Sequence, residues 1–365
     1  MKRIGNSFKG IAGGFILILI GIVLLWWNEG NNVKNIKTTA EMEKVVIDVK
    51  SDKVDSKNDG KLIATSGALI NEQELNDEAL GITIKTPIMK RIVEVYQWDE
   101  NSSTDDDGHT TYSYSKKWSD DLIDSGDFHD KKKSNPTTKL YENQTLTSSD
   151  VKVGAFSLSS NQIDRLSTKA NYTSFDVESV NNLHLSVSGK YLTNSKDIDH
   201  PEIGDTRIEI IYNDSTEVSV LAVQQGNTFV DFVSKYDKRV NRVMDGTHSG
   251  KEMINVIKEE DNFFKWIMRL IGVLLTVFGF AAILKPISAI TSFIPIIGSI
   301  VGGAVALVSL ALGLALSLIV IAVAWIRFRP LLGISLLIIV ALLLAFIIIR
   351  GKKTNPEGTT QTSEA

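Results

Sequence analysis

Residues 266–349 read WIMRLIGVLLTVFGFAAILKPISAITSFIPIIGSIVGGAVALVSLALGLALSLIVIAVAWIRFRPLLGISLLIIVALLLAFIII, and only Arg269, Lys285, Arg327 and Arg329 interrupt the apolar run. A bilayer core of roughly 30 Å takes about 20 apolar residues in a helix, so the stretch is long enough for several crossings. Three fit. The first occupies 266–284, with its apolar part at Ile267–Leu284, and is expected to stop at Lys285-Pro286, because proline lacks the donor that continues a helix. The second occupies 300–326 and is rich in Ala, Leu, Gly and Val. Arg327-Phe328-Arg329-Pro330 (327–330) then forms a tight charged turn, and the third crossing runs 331–349 ahead of a basic tail at 350–365. A soluble core could absorb one such run, but not three in series.

At the other end, Lys2-Arg3 followed by Gly10–Trp27 has the basic front and apolar middle of a signal peptide. The run ends in Trp26-Trp27 instead of a small-residue cleavage site, and paired tryptophans belong at a membrane interface. A retained first span at 10–27, behind a short tail at 1–9, is therefore expected. Gly10 with Gly14, and Gly298 with Gly302, have the spacing that lets two helices approach closely.

Four spans place both termini on one side and residues 28–265 on the other. Lys2, Arg3 and Lys9, with Arg350, Lys352 and Lys353, favour cytoplasmic tails and an extracytoplasmic or lumenal middle. Arg327 and Arg329 run against that rule, being on the outer side. The connection at 285–299, KPISAITSFIPIIGS, holds two prolines and is otherwise apolar, which suits an interfacial or re-entrant loop.

The chain of 365 residues carries a net charge of −4, which hides an asymmetry. Residues 28–265 hold 29 of the 39 basic residues and 41 of the 43 acidic ones. A surface so acidic repels nucleic acid and anionic headgroups. With no cysteine, a disulfide framework and thiolate zinc sites are excluded.

This polar segment reads as one α+β domain, large enough to bury a core. β-branched and aromatic content predicts strands at Lys44–Val49, Lys61–Ile70, Ile82–Ile84, Met89–Trp98, Thr110–Trp118, Leu183–Val187, Arg207–Tyr212 and Val218–Gln224. Glu100–Gly108 is a polar hairpin tip; its consecutive Asp105–Asp107 lack the alternating ligands and closing glutamate of a calcium loop. Leu158–Leu166 predicts a short helix entered at Ser159 or Ser160. Leu62–Gly67 and Leu183–Gly189 echo each other faintly, as a duplicated β-unit would. Ser249-Gly250-Lys251-Glu252 is a capping box that opens a helix running through Phe263, Phe264 and Trp266 into the next span, a stiff connection between domain and membrane. The fold class is thus α+β: four transmembrane helices, one N-terminal and three C-terminal, with a large strand-rich domain between the first and second.

Catalytic chemistry has little foothold. Among the histidines His109, His129, His184, His200 and His248, only His129 sits in a dense polar cluster, Asp127-Phe128-His129-Asp130. No GxSxG elbow, P-loop or HExxH helix occurs. The spans offer Thr276, Ser309, Ser317 and Ser335 as polar groups, which argues against conduction. Asn101, Asn143, Asn171 and Asn213 stand in glycan-acceptor patterns, meaningful only in a eukaryotic lumen.

A family resemblance runs through these landmarks in order: Trp27-Asn28-Glu29-Gly30, Tyr96-Gln97-Trp98, Tyr112-Ser113-Tyr114 with Trp118, Asn135-Pro136, GAFSLSSNQID from Gly154 to Asp164, Pro201-Glu202-Ile203-Gly204-Asp205-Thr206-Arg207, and Phe328-Arg329-Pro330. From about residue 5 to 335 the chain resembles the transmembrane protein 43, or LUMA, family. The resemblance marks Asn28, Glu29, Gly30, Trp98, Asn135, Pro136, Gly154, Asp164, Gly204, Asp205, Arg207, Arg329 and Pro330 as structural motif residues. It supplies no catalytic, cofactor-binding or metal-binding residue. It implies four spans, cytoplasmic or nucleoplasmic tails and a large lumenal domain. Animal members organise the inner nuclear membrane and endoplasmic reticulum, oligomerise, and associate with emerin and lamins. The lack of cysteine and the acidic hairpin tip depart from those members, and the Ile-, Lys- and Asn-rich usage suits a bacterium, which has no lamina.

The expected function is a non-catalytic multipass scaffold that forms homo-oligomers and binds lipid and other membrane proteins, without cofactor or nucleic acid. It would sit in the cell membrane of a bacterium, or in the endoplasmic reticulum and inner nuclear membrane of a eukaryote. The alternative is an ectodomain enzyme or small-ligand receptor.

Overall fold

The apolar segments fold as helices much longer than a bilayer requires. A computed structural model describes residues 2–104, 109–291, 295–331, 334, 335 and 338. Helix α1, Lys2–Val45, is followed by strand β1, Ile47–Lys50. β2 (Leu62–Asn71) leads to β3 (Glu74–Asp77) and β4 (Ile82–Lys85), then to the long β5 (Ile88–Thr104) and β6 (Thr110–Ser119). Short elements come next: β7 (Gln144–Thr147), β8 (Val151–Val153), β9 (Phe156–Ser157), α2 (Ser160–Ile163), β10 (Ala170–Asn171) and α3 (Val177–Asn182). β11 (Ser186–Ser188) and β12 (Tyr191–Thr193) precede β13 (Thr206–Tyr212) and β14 (Glu217–Gln225). β15 (Thr228–Val230), β16 (Phe232–Val233), β17 (Arg239–Val240) and β18 (Arg242–Asp245) end the strand-rich part. α4, Gly250–Thr291, and α5, Pro295–Phe328, close the described chain.

Two compact units result: residues up to Thr39 together with those from Ile257, and Ala40–Val256. In the first, α1, α4 and α5 are each long and apolar enough to cross a membrane. Glycine sets the approach of α1 to α4. A Cβ added to Gly14 would lie 2.6 Å from Gly279 O, and one added to Gly279 would lie 2.8 Å from Gly14 O. Gly21, not Gly10, supplies the second close approach, against Gly272 O at 3.0 Å. The surroundings of Gly298 and Gly302 lie outside the described residues.

The helix expected to end at Lys285-Pro286 continues through Pro286 to Thr291, and Pro295 opens α5 at a position where its missing N–H costs nothing. Proline in a membrane helix forfeits one backbone bond and need not end it. Most of 285–299 is thus helical instead of forming an irregular loop, while 292–294 lie outside the described residues. The second of the three predicted crossings, 300–326, lies within α5. Leu331, Ile334, Ser335 and Ile338 are helical; the rest of the fourth expected span, 331–349, and the tail at 350–365 lie outside the described residues.

The second unit is built on two seven-stranded sheets among its described residues. One runs β15-β14-β2-β8-β9, with β1 parallel to β2 and β18 beside β14; the other runs β11-β12-β13-β5-β6, with β10 on β13 and β7 on β5. Alternation makes the cores. In β13 the inward Ile208 and Ile210 join Met89, Val93, Leu192 and Val180; in β14 Val218, Val220 and Ala222 join Ile63, Phe156, Ile163 and Phe229. Burying one such branched or aromatic side chain contributes about 1.5–3 kcal/mol.

Several predicted boundaries move. Lys44 and Val45 belong to α1, so the strand starts at Ile47. Pairing in the β5–β6 hairpin continues out to Thr104 and Thr110, which shortens the polar tip; Asp105–Asp107 lie outside the described residues. Leu183–Val187 is not a strand: Leu183 caps α3 and His184 takes φ 58°, so only Ser186–Ser188 is extended. Leu62–Gly67 lies inside central β2, whereas Leu183–Gly189 is a helix end and an edge strand, so their echo marks no duplication. Of the helix expected at Leu158–Leu166 only Ser160–Ile163 is helical, with Gln162 Oε1 accepting from Ser159 N at 3.0 Å; the Ser249 box forms, Glu252 Oε2 accepting from Ser249 N at 2.8 Å.

Candidate functional site

The one acidic residue among the first motif residues, Glu29, lies two positions beyond Trp27, where apolar sequence gives way to polar. Its side chain is 1% exposed. Arg269 of α4 donates Nε–H to Glu29 Oε1 at 2.6 Å, and Trp325 of α5 donates Nε1–H to Glu29 Oε2 at 2.8 Å. One carboxylate therefore ties three helices together. The Arg269 guanidinium also lies over the Trp266 ring, 4.8 Å from its centroid.

The neighbouring motif residues serve the same junction. Asn28 donates Nδ2–H to Lys265 O at 3.1 Å, and a Cβ on Gly30 would meet the Phe328 ring at 2.9 Å. Phe328 in turn packs against Trp26, their centroids 5.5 Å apart. Phe328-Arg329-Pro330 and Asn28-Glu29-Gly30, distant in sequence, thus meet in one place. Arg329 donates its backbone N–H to Trp325 O, while Nη2 is buried and finds no acceptor among the described residues. Asn32, one turn beyond Asn28, is buried too, and its Nδ2 also lacks an acceptor among the described residues.

In the strand-rich unit a second group of motif residues gathers along β5 and β13. Asn135 brackets Trp98, accepting from its N at 2.7 Å and donating to its O at 2.9 Å. Pro136 lies under Gly204, where a Cβ would meet its ring at 3.5 Å. Gly204 takes φ 98°, and Asp205 Oδ2 accepts from Ser195 Oγ at 2.5 Å and Glu202 N at 2.8 Å. Arg207 pairs with Glu94 at 2.6 Å and lies between the rings of Trp118 and Tyr191, 4.6 and 4.8 Å from their centroids. Gly154 and Asp164 stand apart from this group; Gly154 turns beside Ser51, and Asp164 caps α2 in solvent.

The five histidines do not converge. His129 stacks on Tyr112 with centroids 4.1 Å apart, and its backbone N–H is held by Glu100 Oε2 at 2.6 Å. His200 is exposed and lies 2.8 Å from Asp197; that hydrogen bond raises His200 above its ordinary pKa and lowers Asp197 below the usual carboxylate range. His248 contacts Asp245 O. An open depression of about 430 Å³ is lined by Ser159, Asn161, Phe229, Asp231, Arg239 and Asn241, with no histidine. Among the described residues no group of three acidic or imidazole side chains is placed to hold a metal.

Sequence reading missed Arg269 and Trp325 as partners of Glu29. The signal was there: a lone arginine inside a span demands a counter-charge, and Glu29 is the acid nearest a membrane boundary. It likewise missed the pair Arg91–Asp77, 2.5 Å apart and 7% and 1% exposed. Arg91 holds an inward position of β5 that alternation assigns to a hydrophobe.

Residues 95–330 match the family model for transmembrane protein 43. The chain belongs to the transmembrane protein 43 family. Transmembrane protein 43 of Homo sapiens is 26% identical over 352 residues, 91% of this chain and 87% of its own length. That of Mus musculus is 24% identical over the same length, and the Drosophila melanogaster homologue is 26% identical over 344 residues, 89% of this chain and 90% of its own. No solved structure matches. With three candidate spans, this family member is an integral membrane protein.

Proposed function

We propose that this transmembrane protein 43 family member is a non-catalytic scaffold, a multipass protein that oligomerises and binds partner proteins through its extramembrane domain and its spans. The observation carrying this reading is the use made of the motif residues. Glu29, Gly30 and Phe328 bind helices to one another, and Asn135, Asp205 and Arg207 brace loops and strands. Groups that hold the polypeptide in shape support a role in presenting surfaces. Apolar side chains that remain open along α1 and α5, such as Phe15, Leu19, Leu307 and Leu318, are available to lipid or to neighbouring spans.

Its membrane would be the plasma membrane in a bacterium, or the endoplasmic reticulum and inner nuclear membrane in a eukaryote. The deciding experiment is mass measurement of the full chain in mild detergent together with crosslinking in native membranes. Discrete oligomers or reproducible crosslinked partners are expected. A strict monomer that retains no partner overturns the scaffold and returns weight to an ectodomain enzyme or small-ligand receptor.

A further inference from the structure

Around the Glu29 junction the charges do not balance. Lys265, Arg269 and Arg329 lie near one another at one end of the three helices; Glu29 pairs with Arg269, and Lys265 Nζ donates to the neutral Asn262 Oδ1. Arg269 and Arg329 repel Lys265, while the one carboxylate of Glu29 attracts it. Hydrogen bonding is unbalanced in the same sense, because the buried Arg329 Nη2 is a donor without an acceptor among the described residues. A buried donor left unsatisfied is costly, and more so when charged. What the cluster lacks is an anion rich in acceptor oxygens.

We propose that Lys265 and Arg329 bind a phosphate group, and that a phospholipid headgroup supplies it. Arginine and lysine are the side chains that hold phosphate oxygens, through charge-assisted hydrogen bonds. The lipid source follows from what lies alongside. Phe263, Trp266 and Leu270 of α4 are 69%, 58% and 59% exposed, which gives acyl chains an apolar strip leading away from Lys265. Trp26 packs on Phe328, Trp325 bonds Glu29 and Trp266 flanks Arg269, and tryptophans gathered at a helix end mark the water–hydrocarbon boundary, where phosphates lie. The arrangement also accounts for Arg329 at a span end where charge rules disfavour it: the bound anion offsets it. This inference is independent of the scaffold role.

The test is native mass spectrometry of the full chain released from detergent, titrated with phosphatidylglycerol, phosphatidylcholine or inorganic phosphate. Wild type should hold one tightly bound phospholipid. Arg329→Gln and Lys265→Gln should each weaken it by about tenfold, the loss of one charge-assisted hydrogen bond, while Lys61→Gln on the strand-rich unit changes nothing. Displacement by millimolar inorganic phosphate, without any lipid adduct, would assign the phosphate site to the free ion instead of a headgroup. Lys265→Gln serves where Arg329→Gln fails to fold. Equal lipid retention in wild type and either variant, with no response to phosphate, overturns the proposal.

Discussion

Glu29 and Arg269 stand 240 positions apart and meet at 2.6 Å, with the carboxylate's other oxygen taken by Trp325. Removing one partner of a buried pair leaves the other uncompensated and costs about 3–5 kcal/mol. Glu29→Ala should therefore lower the melting temperature of the detergent-solubilised chain markedly. Glu29→Ala combined with Arg269→Ala should cost less than the sum of the two single changes, as expected for groups that share an interaction. Additive losses would show that the contact contributes nothing.

Asp77 and Arg91 pose the same question inside the strand-rich unit. Asp77 Oδ1 also accepts from Leu80 N at 3.2 Å, and Arg91 Nε donates to Glu142 O at 2.9 Å, so the pair fastens a turn and a loop to β5. Asp77→Ala should destabilise by about 3–5 kcal/mol, whereas Asp77→Leu with Arg91→Met should recover much of that loss. Protease resistance of the full chain reads both. Failure of the double variant to recover would mean that the loop contacts, and not the charge pair, dominate.

Gly154 takes φ 57°, and an added Cβ would lie 2.3 Å from Ser51 O. Gly189 takes φ 58° with nothing within 4 Å of such a Cβ. Alanine at Gly189 meets only the backbone cost, on the order of 1 kcal/mol. Gly154→Ala meets the same cost plus a collision with main chain, so its melting temperature should fall well below that of Gly189→Ala. Equal effects would mean that the Ser51 loop yields.

The Asp197–His200 contact sets a pH dependence of known sign. His200 is raised, so its share of the contact is complete below the unfolded histidine value of about 6.5 and is lost as pH rises through the raised folded value. Asp197 is lowered, so its share is present above the unfolded carboxylate value of about 3.9 and is lost as pH falls through the depressed one. Both side chains are exposed, so the readout is the titration itself. Nuclear magnetic resonance should place His200 above its ordinary value and Asp197→Asn should bring it back down; an unmoved His200 rules the contact out in solution.

Acceptor patterns at Asn101, Asn143, Asn171 and Asn213 differ in access. Asn213 is buried and donates Nδ2–H to Ser167 O at 2.7 Å, while Asn101 and Asn171 are exposed. Expressed in a eukaryotic host with its middle segment in the lumen, the chain should gain glycans at Asn101 and Asn171 but not at Asn213, read by gel shift of Asn→Gln variants. Modification of Asn213 would contradict the described packing.

Long elements were legible because their signals are additive. The apolar runs of α1, α4 and α5, and the alternation in β2, β13 and β14, each sum many small preferences along the chain. Short strands such as β9 and β10 carry two residues each and owe their form to their partners, which local sequence cannot express. Helix ends were missed for a related reason: the polar sequence from Asn28 to Lys44 is helical without an apolar stripe, and Pro286 sits within a helix. Motif residues could be named one by one, but their grouping at Glu29 depends on contacts across hundreds of positions.

Thr276 and Ser317 are buried and share a 2.8 Å hydrogen bond between α4 and α5, with Thr276 Oγ1 also 3.2 Å from Gly313 O. In a greasy surrounding no water can substitute for either hydroxyl. Turning α5 about its long axis by a single residue, roughly 100°, would carry Ser317 away from its mate. Between surfaces of otherwise interchangeable aliphatic groups, this small polar key fixes one rotational setting and rejects the rest.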